Sequence, residues 1–181
     1  MTETLQGRLL VASPALVDPN FRRSVVLIVA HDDEGAVGLV LNRNSETEVA
    51  EAVPELAELV EDDAHVSVGG PVQPEAVVVL AEWEDTDEAG SIVFEDVGLM
   101  ASEAELERVA ASTRRVRVFA GYAGWSGGQL EAELEEPSWV TEEATIEDVF
   151  GDEPDLWASV LRRKGGPFKL TATMPDDPSL N

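Results

Sequence analysis

Val116-Arg117-Val118-Phe119-Ala120-Gly121-Tyr122-Ala123-Gly124-Trp125-Ser126-Gly127-Gly128-Gln129-Leu130-Glu131 is the stretch whose reading decides the fold. Val116 to Ala120 is rich in β-branched and aromatic residues and predicts a buried strand. The glycines that follow predict a tight turn carrying a tryptophan. Ser126-x-x-Gln129 has the spacing of a capping box, so a short helix is expected from Gly127, with Leu130 and Leu134 on one face. Gly124-Trp125-Ser126-Gly127-Gly128 also matches G-x-S-x-G, which at a strand–turn–helix junction can present a serine nucleophile. Chain order opposes that match: the histidine should follow the serine, yet His31 and His65 both precede Ser126. The competing reading of Ser126 is a helix cap, and the glycines then serve close backbone packing.

Outward from this stretch, strands and helices alternate irregularly. Arg8 to Ser13 predicts a first strand, ended by Pro14, and Asp18-Pro19-Asn20 a turn. Ser24 to Ala30 is apolar on both faces, as in a central strand. His31-Asp32-Asp33-Glu34-Gly35 is read as a hairpin loop, with Ala36 to Leu41 returning antiparallel. Ser45-x-x-Glu48 and Ser102-x-x-Glu105 have capping-box spacing; the first is expected to open a helical segment to about Val60, broken at Pro54. Val66-Ser67-Val68 runs into a tight turn, Gly69-Gly70-Pro71, and further strands are expected over Ala76 to Trp83, at Ile92 to Phe94 and near Val97. Thr145 is expected to cap a short helical turn. Pro154 should open a last helix with Leu156, Trp157, Val160 and Leu161 inward, and Arg162, Arg163, Lys164 and Gly165 at its C-terminus. The pattern predicts an α/β (α+β mixed) fold, one domain over residues 1–181, with a large mixed, partly antiparallel sheet flanked by short helices. The tail over about 175–181 is expected to be loose.

Composition limits function. The 181 residues include 37 acidic and 12 basic side chains, a net charge of −25, with mean hydropathy −0.08. Such a field disfavours direct nucleic-acid binding. With no cysteine there is no thiolate chemistry, thiolate metal site or disulfide. The two histidines are too few and too scattered for a zinc site, and the acidic runs lack EF-hand spacing. No cofactor and no metal are expected, and neither is a membrane span. Met1-Thr2-Glu3-Thr4 lacks the basic start of a signal peptide, so a cytoplasmic location is expected.

The chain resembles the YqgE/AlgH family (UPF0301, DUF179), whose members have been described as transcriptional regulators. The resemblance is carried by Gly7-x-Leu9-Leu10-Val11-Ala12-x-Pro14 with Asp18, Phe21-x-x-Ser24-Val25-Val26, and His31-x-x-x-Gly35-Ala36-x-Gly38-Leu39-Val40-x-Asn42. It continues through Gly69-Gly70-Pro71, Gly121-Tyr122-Ala123-x-Trp125-x-x-Gly128-Gln129-Leu130-Glu131-x-Glu133, and Trp139. It implies a bacterial cytosolic protein with an α/β sheet fold and no established enzymatic activity. If the matching polar residues converge, the functional surface comprises Asp18, Ser24, His31, Asn42, Gly69, Gly70, Trp125, Gln129 and Glu131. The alternative is that these are turn, cap and packing residues. The function expected is binding or regulation through a protein or small-molecule partner. The alternative is a small hydrolase or transferase using Ser126 or His31.

Overall fold

A computed structural model describes residues 4–136 and 138–174. The unbroken apolar runs are extended because both of their faces are covered. β1 (Arg8–Ala12), β2 (Val25–Asp32) and β3 (Gly35–Val40) form an antiparallel meander, and Val25 to Val29 of β2 are all buried. The hairpin loop is shorter than the predicted His31–Gly35, since His31 and Asp32 belong to β2 and Gly35 to β3. Gly35 (φ +145°) is required there: a Cβ would lie 2.2 Å from the Trp125 carbonyl oxygen of the next strand.

That next strand, β9 (Thr113–Ser126), is the spine of the sheet. It is longer than the predicted Val116–Ala120, because the glycine-rich segment continues the strand instead of turning. It is reached after β4 (Asn44–Glu48), β5 (His65–Val68), β6 (Val72–Trp83), β7 (Ser91–Phe94) and β8 (Val97–Leu99). β9 pairs antiparallel with β6, antiparallel with β3 through Ala123 to Ser126, and parallel with β5 at Phe119 and Ala120. The strand order is β10-β1-β2-β3-β9-β6-β8-β7, where β10 is Trp139–Glu143 and β5 carries β4 as a branch. The ten strands thus form one mixed sheet, antiparallel except at β5–β9.

Where β3 and β9 diverge, Gly69 wedges between them. Its N–H donates to the Ala120 carbonyl at 2.9 Å, and its carbonyl accepts from the Val40 N–H at 2.8 Å. Gly69-Gly70 is therefore a backbone crossing, and a Cβ on Gly69 would lie 2.3 Å from the Gly121 oxygen.

One face of the sheet packs Leu9, Leu27, Leu39, Leu80 and Phe119 against α4 (Ile146–Phe150) and α5 (Leu156–Lys164), which brings in Val149, Trp157, Val160 and Leu161. On the other face α3 (Gln129–Glu135) seats Leu130 with Ile28, Trp125 and Trp139. Farther along that face, α1 (Val49–Ala52), a 3-10 turn (Pro54–Leu59) and α2 (Leu106–Ser112) cover Val79, Val118, Ala81 and Trp83. The sheet curls: the Gln6 side-chain amide donates to the Ile92 carbonyl at 3.1 Å, bringing β7 back to the start of β1. A short α6 (Phe168–Thr171) follows α5, which is therefore not the last helix.

Capping differs from expectation at four places. Ser45 lies in β4, and its hydroxyl donates to the Val66 carbonyl at 2.7 Å, because pairing with β5 holds the chain extended until Val49. Ser102 bonds Glu103, and α2 begins only after Glu105. Gly128 in the left-handed region (φ +81°), not Ser126, precedes α3. α5 begins at Leu156 rather than at Pro154, the expected first helical position, and Asp155 caps it, accepting from the Ala158 N–H at 3.1 Å. Thr145 caps α4 as expected, in a full capping box with Asp148. The expected loose tail at 175–181 lies outside the described residues.

Candidate functional site

Two of the nine candidate residues meet directly. Cross-strand register places His31, Ala36 and Trp125 in one row, so their side chains share a face of the sheet. There His31 Nε2 lies 2.7 Å from Glu131 Oε1 of α3, and Nδ1 accepts from the Leu5 N–H at 2.9 Å. An accepting Nδ1 requires the proton on Nε2, so His31 is a neutral donor to Glu131. Its side chain is 3% exposed. The Glu131 carboxyl is held below its ordinary value by its own backbone N–H and then by His31.

Trp125 and Gln129 join the same corner through Glu133, which the sequence marks as a family-matching residue but which is not among the nine candidates. Glu133 Oε1 accepts from the indole N–H groups of Trp125 (3.2 Å) and Trp139 (3.0 Å), and Oε2 accepts from the Gln129 amide at 2.9 Å. Phe21, Trp125 and Trp139 close over it, the two tryptophans edge to face with centroids 6.2 Å apart. The available signal was spacing: Gln129 and Glu133 are i, i+4 on a helix.

Ser126 ends β9. Its N–H and its hydroxyl both donate to Gln129 Oε1, at 3.0 and 3.2 Å. Half of the predicted reciprocal pairing therefore exists, although Ser126 is not the cap. Strand alternation points Ser126 away from the face that Trp125 shares with His31, and no hydrogen bond joins Ser126 to His31.

The other five candidates lie around the segment between β1 and β2 and the end of β3. Asp18 Oδ1 accepts from the Asn20 N–H at 2.8 Å. Buried Ser24 donates to the Phe21 carbonyl at 2.6 Å. Asn42 accepts from the Val25 N–H and donates to the Arg23 carbonyl, both at 2.9 Å. Gly69 and Gly70 make the backbone crossing. The nine residues thus form two separate groups rather than one pocket. Among the described residues, no three His, Asp or Glu side chains are grouped to hold a metal ion.

A larger concavity went unnoticed in the sequence. It is a cleft of about 780 Å3 whose lining includes Asn44, Ser67, Arg115, Arg117, Phe150 and Asp152. Of the candidates only Asn42 reaches it. Its contributors lie far apart in the chain, so no local motif marks them. Half-buried Arg117 joins three elements: it donates to the carbonyls of Val149 (2.8 Å) and Leu41 (2.9 Å) and to the Ser67 hydroxyl (2.7 Å). Desolvation brings its pKa down to about 10, which leaves it charged at neutral pH.

These features define a class of protein first: a mixed α/β protein on one curled ten-stranded sheet, with a polar cleft and, apart from it, a tryptophan–carboxylate corner. The chain belongs to the AlgH-like family (DUF179), whose model matches residues 9–169. It is 44% identical over 190 residues to a UPF0301 protein of Streptomyces coelicolor, covering 100% of this chain and 98% of that one. A UPF0301 protein of Mycobacterium tuberculosis is 41% identical, with 97% and 90% covered. A crystal structure of a Corynebacterium diphtheriae protein superposes with TM-score 0.87 at 29% identity, covering 95% of this chain and 93% of that one. The solution structure of AlgH from Pseudomonas aeruginosa gives TM-score 0.69 at 31% identity, with 97% and 98% covered. Among the described residues no helix is long and apolar enough to cross a membrane.

Proposed function

We propose that this is a cytosolic binding or regulatory protein, acting through contact with a protein or small-molecule partner and without chemistry of its own. The observation that carries the reading is the engagement of His31. Both ring nitrogens are occupied, by the Leu5 N–H and by Glu131, and the imidazole is 3% exposed. Ser126 is tied to Gln129. A serine without a free base is a weak nucleophile at neutral pH. The alternative, a hydrolase or transferase on Ser126 or His31, would require His31 to leave two partners. The net charge of −25 favours partners other than nucleic acid.

The test is a broad esterase, phosphatase and acyl-transfer screen of the wild type, Ser126→Ala and His31→Gln, run beside equilibrium binding measurements. No turnover is expected from any of the three. Turnover that either substitution abolishes would refute the reading.

A further inference from the structure

β9 carries three arginines, and their surroundings differ. Arg114 faces Glu82, Glu84 and Asp96 at 3.8, 3.6 and 3.5 Å. Arg115 pairs with Glu82 at 2.9 Å and Glu147 at 3.0 Å. Arg117 has no carboxylate partner among the described residues. Its three acceptors are neutral oxygens, and its guanidinium carbon lies 4.7 Å from the Phe119 ring centroid. A guanidinium has five N–H donors, so two remain, one of them on Nε. Among the described residues only Ser13 Oγ is a fully buried side-chain polar atom without a partner, so Arg117 Nε is not fully buried, and Arg117 lines the cleft. In a chain of net charge −25 this is a half-buried cation that no carboxylate among the described residues pairs with.

The polar groups beside Arg117 point the same way. Ser67 accepts from Arg117 and donates to Asn44 Oδ1 at 3.0 Å, and Asn44, an exposed residue, lines the cleft beside them. The rim has the opposite charge: Glu61, Asp152 and Glu153 line the cleft, are exposed, and have no cation within ion-pair distance among the described residues. The volume of about 780 Å3 suits a small organic molecule. A dianion would be repelled by the rim and by the whole molecule, and a simple cation by Arg117. A molecule carrying one charge of each sign matches both parts.

We propose that this cleft binds a small zwitterion of amino-acid or short-peptide type, its carboxylate taken by Arg117 and its ammonium group set against Glu61, Asp152 and Glu153. The proposal rests on the reading of the protein as a binding protein and names its site and ligand class. It is tested by calorimetric titration with trialanine, N-acetyl-trialanine and trialanine amide. Trialanine is expected to bind saturably at one site, and blocking either end to weaken it about tenfold. Arg117→Lys keeps a charge but has no Nε–H and no rigid guanidinium plane to hold a donor toward the cleft, and is expected to weaken trialanine about tenfold. Arg117 also joins three elements, so its variant is read beside a melting curve. The double variant Asp152→Asn/Glu153→Gln changes only exposed side chains; it should weaken trialanine several-fold and leave N-acetyl-trialanine unchanged.

Absence of saturation up to about 10 mM, at the weak end of specific affinity, overturns the site. Equal binding by the wild type and both variants also overturns it. Equal binding of trialanine and its N-acetyl form overturns the zwitterion assignment. Release of free alanine with binding retained would support the site while refuting the non-catalytic reading.

Discussion

Replacing Glu133 by alanine removes the acceptor shared by the Trp125 and Trp139 indoles. These side chains are 7% and 4% exposed, so little water reaches the orphaned N–H groups. An unmade bond to a buried donor costs roughly 1–3 kcal/mol, and bonds to a charged acceptor lie in the upper half of that range. The Gln129 amide is exposed and recovers its bond from solvent, so it adds little. Two indole donors then give a loss of about 2–4 kcal/mol, discounted from the full sum because the corner relaxes. In a chain of this size that lowers the melting temperature by roughly 5–15 °C. Glu133→Gln keeps an acceptor oxygen for both indoles and is expected to cost about 1 kcal/mol. Urea unfolding followed by tryptophan fluorescence measures both variants, and Glu133→Ala should also shift native emission to the red. A Glu133→Ala loss below about 0.5 kcal/mol, the range of an ordinary surface substitution, would refute the account of this corner.

Gly70→Ala should destabilise by at least about 2 kcal/mol, because the added Cβ would fall 2.2 Å from the Tyr122 backbone at φ +156°; a chemical melt checks it. Ser126→Ala should cost less than about 0.5 kcal/mol, since Gly128 precedes the helix and the Ser126 N–H still reaches Gln129. A loss near 1 kcal/mol would restore Ser126 as a cap. The Glu131 carboxyl is held below its ordinary 4.5 by its own N–H first and His31 second. A depressed carboxyl pKa contributes stability above the unfolded value, lost as pH falls through the folded one. Glu131→Gln should therefore flatten the stability profile below about pH 4.5, and an unchanged acid limb would refute this coupling.

Local pattern made much of the fold legible. The apolar runs at β1, β2 and β3 and the inward Leu156, Trp157, Val160 and Leu161 of α5 report burial through composition alone. Helix caps were legible only where nothing competed. Thr145-x-x-Asp148 forms one, whereas Ser45-x-x-Glu48 is held extended by β5, whose position depends on a parallel pairing with β9. The candidate residues divided for the same reason. His31 and Glu131 are 100 positions apart, and only the β2–β3–β9 register brings them to 2.7 Å. Arg117 entered the sequence reading only as one residue of the predicted strand, because the lack of a carboxylate partner among the described residues is a property of the folded surroundings.

The sequence by itself determined a cysteine-free, strongly acidic α/β chain, the core-facing residues, and the family resemblance carried by its glycines and aromatics. Burial and turn chemistry are written in nearest neighbours, so a one-dimensional reading reaches them. The tertiary structure alone decided that Gly121 to Ser126 continues a strand, and that Gly69 wedges between β3 and β9. It also decided that Ser126 faces away from His31, and that residues from β4, β5, β9 and the α4–α5 connection line a cleft with Arg117, a guanidinium with no carboxylate partner among the described residues. Each of these depends on which strands are neighbours, and long-range pairing leaves no periodic mark on the residues it joins.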